Sequence, residues 1–301
     1  VRPTMRKVVM STSIGAVALA LIAIAALVLI PMNGQNDTQP SIGIRVSSAP
    51  TAVPTPPVPP ALSDESTAAL PAARYDSVIP GLLRAPTGAP KDFALFTSAT
   101  DAPLYGSDFS TAVARLEAKN FLDEDTIIVG VDTRGEWTLV LTPGRQTLPS
   151  ATPSEAGPAP AQTAAWVPTR QLLPADTPQQ RVVVSISEQS LEIVDANDVT
   201  ISSYTVVVGG PDTPTPTGVY GYIQARYLDP AQGQNENRIQ LTSLHATAAD
   251  EPYRGNDGGL IGIHYGDTAG GAVSHGCIRA DADAISAVDA LALGTLIFLV
   301  E

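Results

Sequence analysis

Ser274-His275-Gly276-Cys277 brings a thiol, an imidazole and a glycine together within four residues, and Arg279 follows two positions later. Cys277 is the only cysteine among 301 residues, so it has no disulfide partner within the chain. One thiol cannot by itself build a four-ligand structural zinc site. A cysteine nucleophile needs a nearby base and a setting that favours the thiolate. Two histidines compete for the role of base. His275 is adjacent, but side chains at i and i+2 of an extended segment point the same way without necessarily facing each other. His264 ends a separate apolar run, Leu260-Ile261-Gly262-Ile263, and can approach the sulfur from across the site. A lone cysteine often serves only as a small buried hydrophobe. The imidazoles and the cation around this one favour chemistry.

The elements that must hold these residues are mostly strands. From Arg181 the chain reads as a β-meander: Arg181–Ile186, Ser190–Val194, Val199–Ile201, Tyr204–Val208 and Gly218–Ile223, with turn residues at Asp195–Asp198 and Thr213–Gly218. One helix is predicted. With Asp281 or Asp283 as its N-cap, Ile285, Val288, Leu291 and Ala292 share a face. Gly294 stops it, and Thr295–Val300 returns as a closing strand.

Ile263-His264 followed by Ser274-His275-Gly276-Cys277-Ile278-Arg279 resembles the signature of the L,D-transpeptidases, the YkuD-type catalytic domain. The resemblance runs back to Arg181, through the Thr-Pro-x-Gly turn Thr215–Gly218 and the late Gly294-Thr295. It implies a β-sandwich and cysteine-dependent acyl transfer on peptidoglycan stem peptides. The thiolate would attack the carbonyl before the terminal D-alanine of a tetrapeptide, and an amine of a neighbouring stem would complete a 3→3 cross-link. The alternatives are hydrolysis alone and a non-catalytic wall-binding protein. In the family's pattern His264 is the general base, and the carbonyl of Tyr265 would fix its tautomer in place of a carboxylate. The N–H groups of Gly276 and Cys277 would form the oxyanion hole, each worth about 3 kcal/mol. Arg279 suits a stem carboxylate, with Ser274 also expected at the substrate and His275 in a supporting or substrate-contacting role. Arg279 and the start of the following helix would both lower the thiol pKa. His245 reads as structural or part of a cover. Three histidines and Cys277 could suit zinc, but acyl transfer already accounts for the motif, so no metal or cofactor is expected. Two departures from the family bear on the acceptor. The interval Tyr265–Val273 is short, and His264 is followed by Tyr265-Gly266 where Gly-Thr is frequent.

Upstream, residues 70–175 carry short strand-like runs at Phe93–Phe96, Thr126–Val131, Glu136–Leu141 and Ala165–Val167, with Arg134-Gly135 as a hairpin turn. Asp132–Val140 with Ala165-Trp166-Val167 resembles bacterial SH3-type domains, small β-barrels of which many bind cell-wall polymer. Pro149–Gln162 interrupts the likeness. Residues 33–69 are rich in proline and read as an extended stalk. Before them an uncharged apolar run from Val8 to Met32, preceded by Arg2, Arg6 and Lys7, exceeds the roughly 20 residues needed to cross a bilayer. The basic flank predicts an uncleaved anchor with everything after Met32 outside the membrane. The expected whole is mainly β: a transmembrane helix (1–32), a stalk (33–69), an SH3-like barrel (70–175) and the catalytic domain (180–301). A net charge of −13 leaves no basic stripe for nucleic acid. The partners are then peptidoglycan, the membrane and, through the SH3-like part, wall polymer.

Overall fold

A computed structural model describes residues 55–90, 92–252, 259–269 and 271–301. The apolar anchor segment and the first part of the proline-rich stretch lie outside the described residues. Among the described residues no helix is long and apolar enough to cross a membrane.

The end of the expected stalk is tied down. Polyproline-like backbone has no hydrogen bonds of its own, so its carbonyls are available to neighbours. The Trp137 indole N–H donates to Pro56 O at 3.0 Å, and Arg170 donates to Pro59 O at 3.1 Å. Helix α1 (Asp64–Ala68) then forms, because the Ser63 hydroxyl accepts the Ser66 N–H at 3.1 Å and caps it.

Eight short strands follow: β1 (Leu83–Arg84), β2 (Ala94–Thr97), β3 (Ala102–Tyr105), β4 (Ala112–Leu116), β5 (Ile128–Arg134), β6 (Trp137–Thr142), β7 (Thr163–Pro168) and β8 (Leu173–Ala175). They pair in the order β4-β3-β7-β6-β5-β2-β8, with β1 also on β7. Arg134 pairs with Trp137, so the β5–β6 turn is made by Gly135 and Glu136, one residue later than the sequence suggested. Most of the pairings missed by sequence reading involve strands of four residues or fewer, too short to display an alternation.

The C-terminal strands are β9 (Arg181–Ser185), β10 (Ser190–Val194), β11 (Thr200–Val207), β12 (Val219–Asp229), β13 (Gln234–His245), β14 (Leu260–Tyr265), β15 (Ile278–Ala280) and β16 (Leu296–Val300). Where a sandwich was expected, the ladder closes into a barrel, β10-β11-β15-β14-β13-β12-β16-β9. Closure comes from β9, which pairs antiparallel with β10 and parallel with β16. Helix α2 (Ala282–Asp289) starts where Asp281 accepts the Ala284 N–H at 2.8 Å. It buries Ala284, Ile285 and Val288 in the barrel core with Val184, Leu191, Ile261 and Ile297.

The two β units share a second core. Tyr220, Tyr222 and Leu296 of the barrel pack among Tyr105, Phe109, Trp137 and Trp166 of the upstream sheet. Trp137 meets Tyr105 and Phe109 edge to face, with centroids 5.1 and 5.3 Å apart. Along β12, Tyr220 and Tyr222 serve this core while Ile223 enters the barrel, as the period of two requires.

Polar ties cross the same boundary. Arg145, 2% exposed, donates to the carbonyls of Asp250 (2.8 Å), Ala246 and Gly259 (3.3 Å each). These carbonyls lie along the connection from β13 to β14. The Asp250 carboxylate accepts from the Ser150 N–H and hydroxyl. His245, at the end of β13, donates from Nε2 to Tyr75 O at 2.9 Å. Burial pushes its pKa down to about 3, against the pull of the carbonyl. An unfolded imidazole titrates near 6.5, so between pH 6.5 and about 3 the native state binds fewer protons than the unfolded one. Stability is therefore expected to be full above pH 6.5 and to erode through that window. Denaturant midpoints at successive pH values check this, and His245→Gln should flatten the slope.

Candidate active site

The parallel pairing of β14 with β15 sets Ile263 opposite Ile278, His264 opposite Arg279 and Tyr265 opposite Ala280. His264 and Arg279 therefore stand side by side. Cys277 immediately precedes β15 and is half-buried, and its thiol donates to Leu260 O at 3.7 Å. His264 and Cys277 together line two cavities, of about 240 Å³ and about 300 Å³. The first is largely aromatic and aliphatic. The second is polar and includes Gln234, His275 and Arg279.

His264 Nδ1 lies 3.0 Å from Tyr265 O. A carbonyl only accepts, so Nδ1 carries the proton and Nε2 keeps its lone pair. Burial holds the imidazole pKa below its usual value and the Arg279 charge lowers it further, while the carbonyl bond acts in the opposite sense. The ring is thus kept neutral, the state a general base needs. Gln234 Nε2 also donates to Tyr265 O, at 3.0 Å, so this carbonyl anchors two side chains.

Gly276 turns the chain at φ +110°, a region that side-chain-bearing residues rarely adopt. Ser274, expected at the substrate, lines the polar cavity, but it is 2% exposed and its hydroxyl is engaged within the turn. It donates to Cys277 O and accepts the Gly276 N–H at 3.2 Å. Ser274 is therefore a brace of the turn, and the Gly276 amide proposed for an oxyanion hole is held by it. The physical reason is burial, since a hydroxyl shut away from water must find partners locally.

The loop after β11 holds the turn from outside. Thr215 Oγ1 accepts the Gly209 N–H at 2.9 Å and donates to Gly276 O at 2.7 Å. Thr213 Oγ1 donates to Ser274 O at 3.0 Å, and the Gly210 N–H donates to the same carbonyl at 2.9 Å. A Cβ on Gly209 would lie 2.2 Å from Thr213 O, so only glycine lets the two segments approach. Thr215→Val keeps the shape but strands the Gly209 N–H and the Gly276 carbonyl, both buried. A loss of about 2 kcal/mol or more is expected, read as a lower denaturation midpoint, with slower alkylation of Cys277 by iodoacetamide.

His275 is exposed on the rim of the polar cavity. Arg279 is half-buried, and among the described residues no carboxylate lies within 4 Å of its guanidinium; the pairing with Asp281 or Asp283 weighed from sequence is not made. His245 is buried, spends Nε2 on Tyr75 O and lines neither cavity. Sequence reasoning missed Gln234, because β13 opens on the polar run Gln234-Asn235-Glu236-Asn237 and shows no apolar alternation. It also missed Tyr75, Phe121 and Tyr227 in the aromatic cavity, which come from distant segments without a motif.

Residues 179–299 match the family model of the L,D-transpeptidase catalytic domain, YkuD. No curated protein matches the chain in sequence. Among solved structures, L,D-transpeptidase 1 of Mycobacterium tuberculosis is similar at 18% identity over 46% of this chain and 78% of that one, with a TM-score of 0.29. An L,D-transpeptidase of Mycobacterium smegmatis is similar at 13% identity over 72% and 100%, with a TM-score of 0.34. The catalytic domain of the Enterococcus faecium enzyme is similar at 18% identity over 42% and 99%, with a TM-score of 0.28. These overlaps are loose, and the likeness rests on the sequence match of residues 179–299. Residues 179–299 are thus the part of the chain that is similar to the L,D-transpeptidase catalytic domain family.

Proposed function

We propose that the chain forms 3→3 cross-links in peptidoglycan through a cysteine acyl-enzyme. The observation that supports this most directly is His264, held as the Nδ1–H tautomer by Tyr265 O and sharing both cavities with Cys277. In this reading His264 Nε2 takes the thiol proton, and Sγ attacks the carbonyl carbon before the terminal D-alanine of a tetrapeptide stem. The imidazolium returns the proton to the departing amine, D-alanine leaves, and a thioester remains. A side-chain amine of a second stem attacks the thioester, the C–S bond breaks, and the thiol is restored. The Cys277 amide is the first oxyanion donor; the Gly276 amide joins it by leaving the Ser274 hydroxyl. Arg279 holds a stem carboxylate through two parallel hydrogen bonds, and exposed His275 contacts substrate at the rim.

The apolar run before residue 33 would tether the chain so that this domain works outside the membrane. The upstream sheet, read from sequence as SH3-like, would hold it against wall polymer. Co-sedimentation of the Cys277→Ala chain with purified sacculi tests that contact, and a chain left entirely in solution would sink it.

Incubation with a disaccharide tetrapeptide, followed by mass spectrometry, tests the reaction. A dimer lacking one D-alanine is the expected product. A tripeptide alone would make the enzyme an L,D-carboxypeptidase, and unchanged substrate would overturn both readings.

A further inference from the structure

We infer that the aromatic cavity beside Cys277, walled in part by the upstream sheet unit, admits the ammonium-bearing side chain of the acceptor. The inference rests on the transpeptidase reading and names which side of the thiol the second substrate uses. Three rings face this cavity, Tyr75 and Phe121 from upstream of the barrel and Tyr227 from β12. Phe121 joins them, with its centroid 5.3 Å from Tyr75 and 5.8 Å from Tyr227, edge to face in both pairs. It remains 42% exposed, an unusual state for a phenylalanine that only fills a core. Asp229 lines the same cavity, its carboxylate fixed by the Ala231 N–H at 3.0 Å and by Gln232 Nε2 at 2.8 Å.

A guanidinium distinguishes the two sides of the sulfur. Among the described residues the aromatic cavity is lined by the carboxylate of Asp229 and by no lysine or arginine, whereas the polar cavity has the guanidinium of Arg279 together with the Asp267 carboxylate. The donor stem ends in a carboxylate, which a guanidinium attracts. The acceptor arrives as an ammonium, which a guanidinium repels and which aromatic faces and a carboxylate attract. The Tyr75 backbone is fixed to the barrel through His245, so the ring is carried by an anchored segment. The amine gives up one proton to water before attack. Its second passes to His264 and on to the departing sulfur as the new amide bond forms and the C–S bond breaks. The upstream unit thereby contributes to acceptor choice.

The test uses the full chain with a disaccharide tetrapeptide as both donor and acceptor, and reads the ratio of cross-linked dimer to hydrolysed tripeptide by mass spectrometry. Phe121→Ala is expected to lower this ratio about tenfold and to raise the acceptor concentration for half-maximal cross-linking by a similar factor. Phe121→Leu, which keeps an apolar side chain without a π-face, should fall with it. Asp229→Asn, which can still cap the following turn, should lower the ratio too, and less so at high salt. Ratios within twofold of wild type for Phe121→Ala and Asp229→Asn would overturn the inference. A wild-type ratio in Phe121→Leu would overturn the cation-binding role. A wild type that yields neither product would instead overturn the functional reading beneath it.

Discussion

Cys277→Ala is expected to remove every acyl-transfer product, and His264→Ala to lower kcat/KM by about a thousandfold. The first change deletes the only thiol in the chain. The second deletes the imidazole whose tautomer Tyr265 O selects. Both variants should fold, since neither side chain belongs to the apolar core of the barrel. The pH profile distinguishes a base from a structural histidine. Burial and then Arg279 hold the His264 pKa below its ordinary value, so the acidic limb of kcat/KM should lie below pH 6.5. Arg279→Gln removes a charge that opposes protonation, and the limb should then move towards neutral pH. A limb that stays in place, or moves down, would show that His264 does not set it. His275→Ala should cost far less than His264→Ala, because His275 stands at the exposed rim.

Arg145→Ala is expected to be the most damaging change outside the site. The guanidinium holds three carbonyls on the β13–β14 connection while almost fully buried. Hydrogen bonds from a charged donor contribute about 1.5–3 kcal/mol each and are not additive. A loss of about 4 kcal/mol is a reasonable scale, measurable as a fall in denaturation midpoint. Because the released connection leads directly into β14, which ends in His264 and Tyr265, reactivity of Cys277 should fall along with stability. Arg145→Lys should recover little, since one ammonium cannot span carbonyls that the guanidinium reaches with two nitrogens.

Much of the site was legible because its chemistry is local. Cys277, His264 and Arg279 belong to two short segments, and the parallel β14–β15 register joins them. The helix was legible in part: Asp281 caps it, and Ile285 and Val288 are buried as their spacing indicated, but it ends at Asp289, before Leu291, Ala292 and the expected stop at Gly294. The bracing of Gly276 by Ser274 was not legible, because it depends on which hydrogen bonds a buried turn makes within itself. β13 was hidden by its polar start, and β11 was read as two strands because Ser202-Ser203 breaks the apolar run. The closed barrel depends on pairing between β9 and β16, more than a hundred residues apart, which no local pattern encodes. The aromatic wall is the extreme case. Tyr75, Phe121 and Tyr227 gain meaning only after the upstream sheet has docked on the barrel through Trp137, Trp166, Tyr220 and Tyr222.

The Tyr265 carbonyl has a consequence for genetics. It belongs to the main chain, so every amino acid at position 265 would still supply it. A survey of side-chain replacements would pass over the third member of the proposed catalytic set and find only two. Selection among residue changes meets the same limit: it can change the ring at 265, which is exposed, but not the atom that orients the His264 imidazole. Only a change in backbone path, or an ester in place of a peptide bond, reaches that atom.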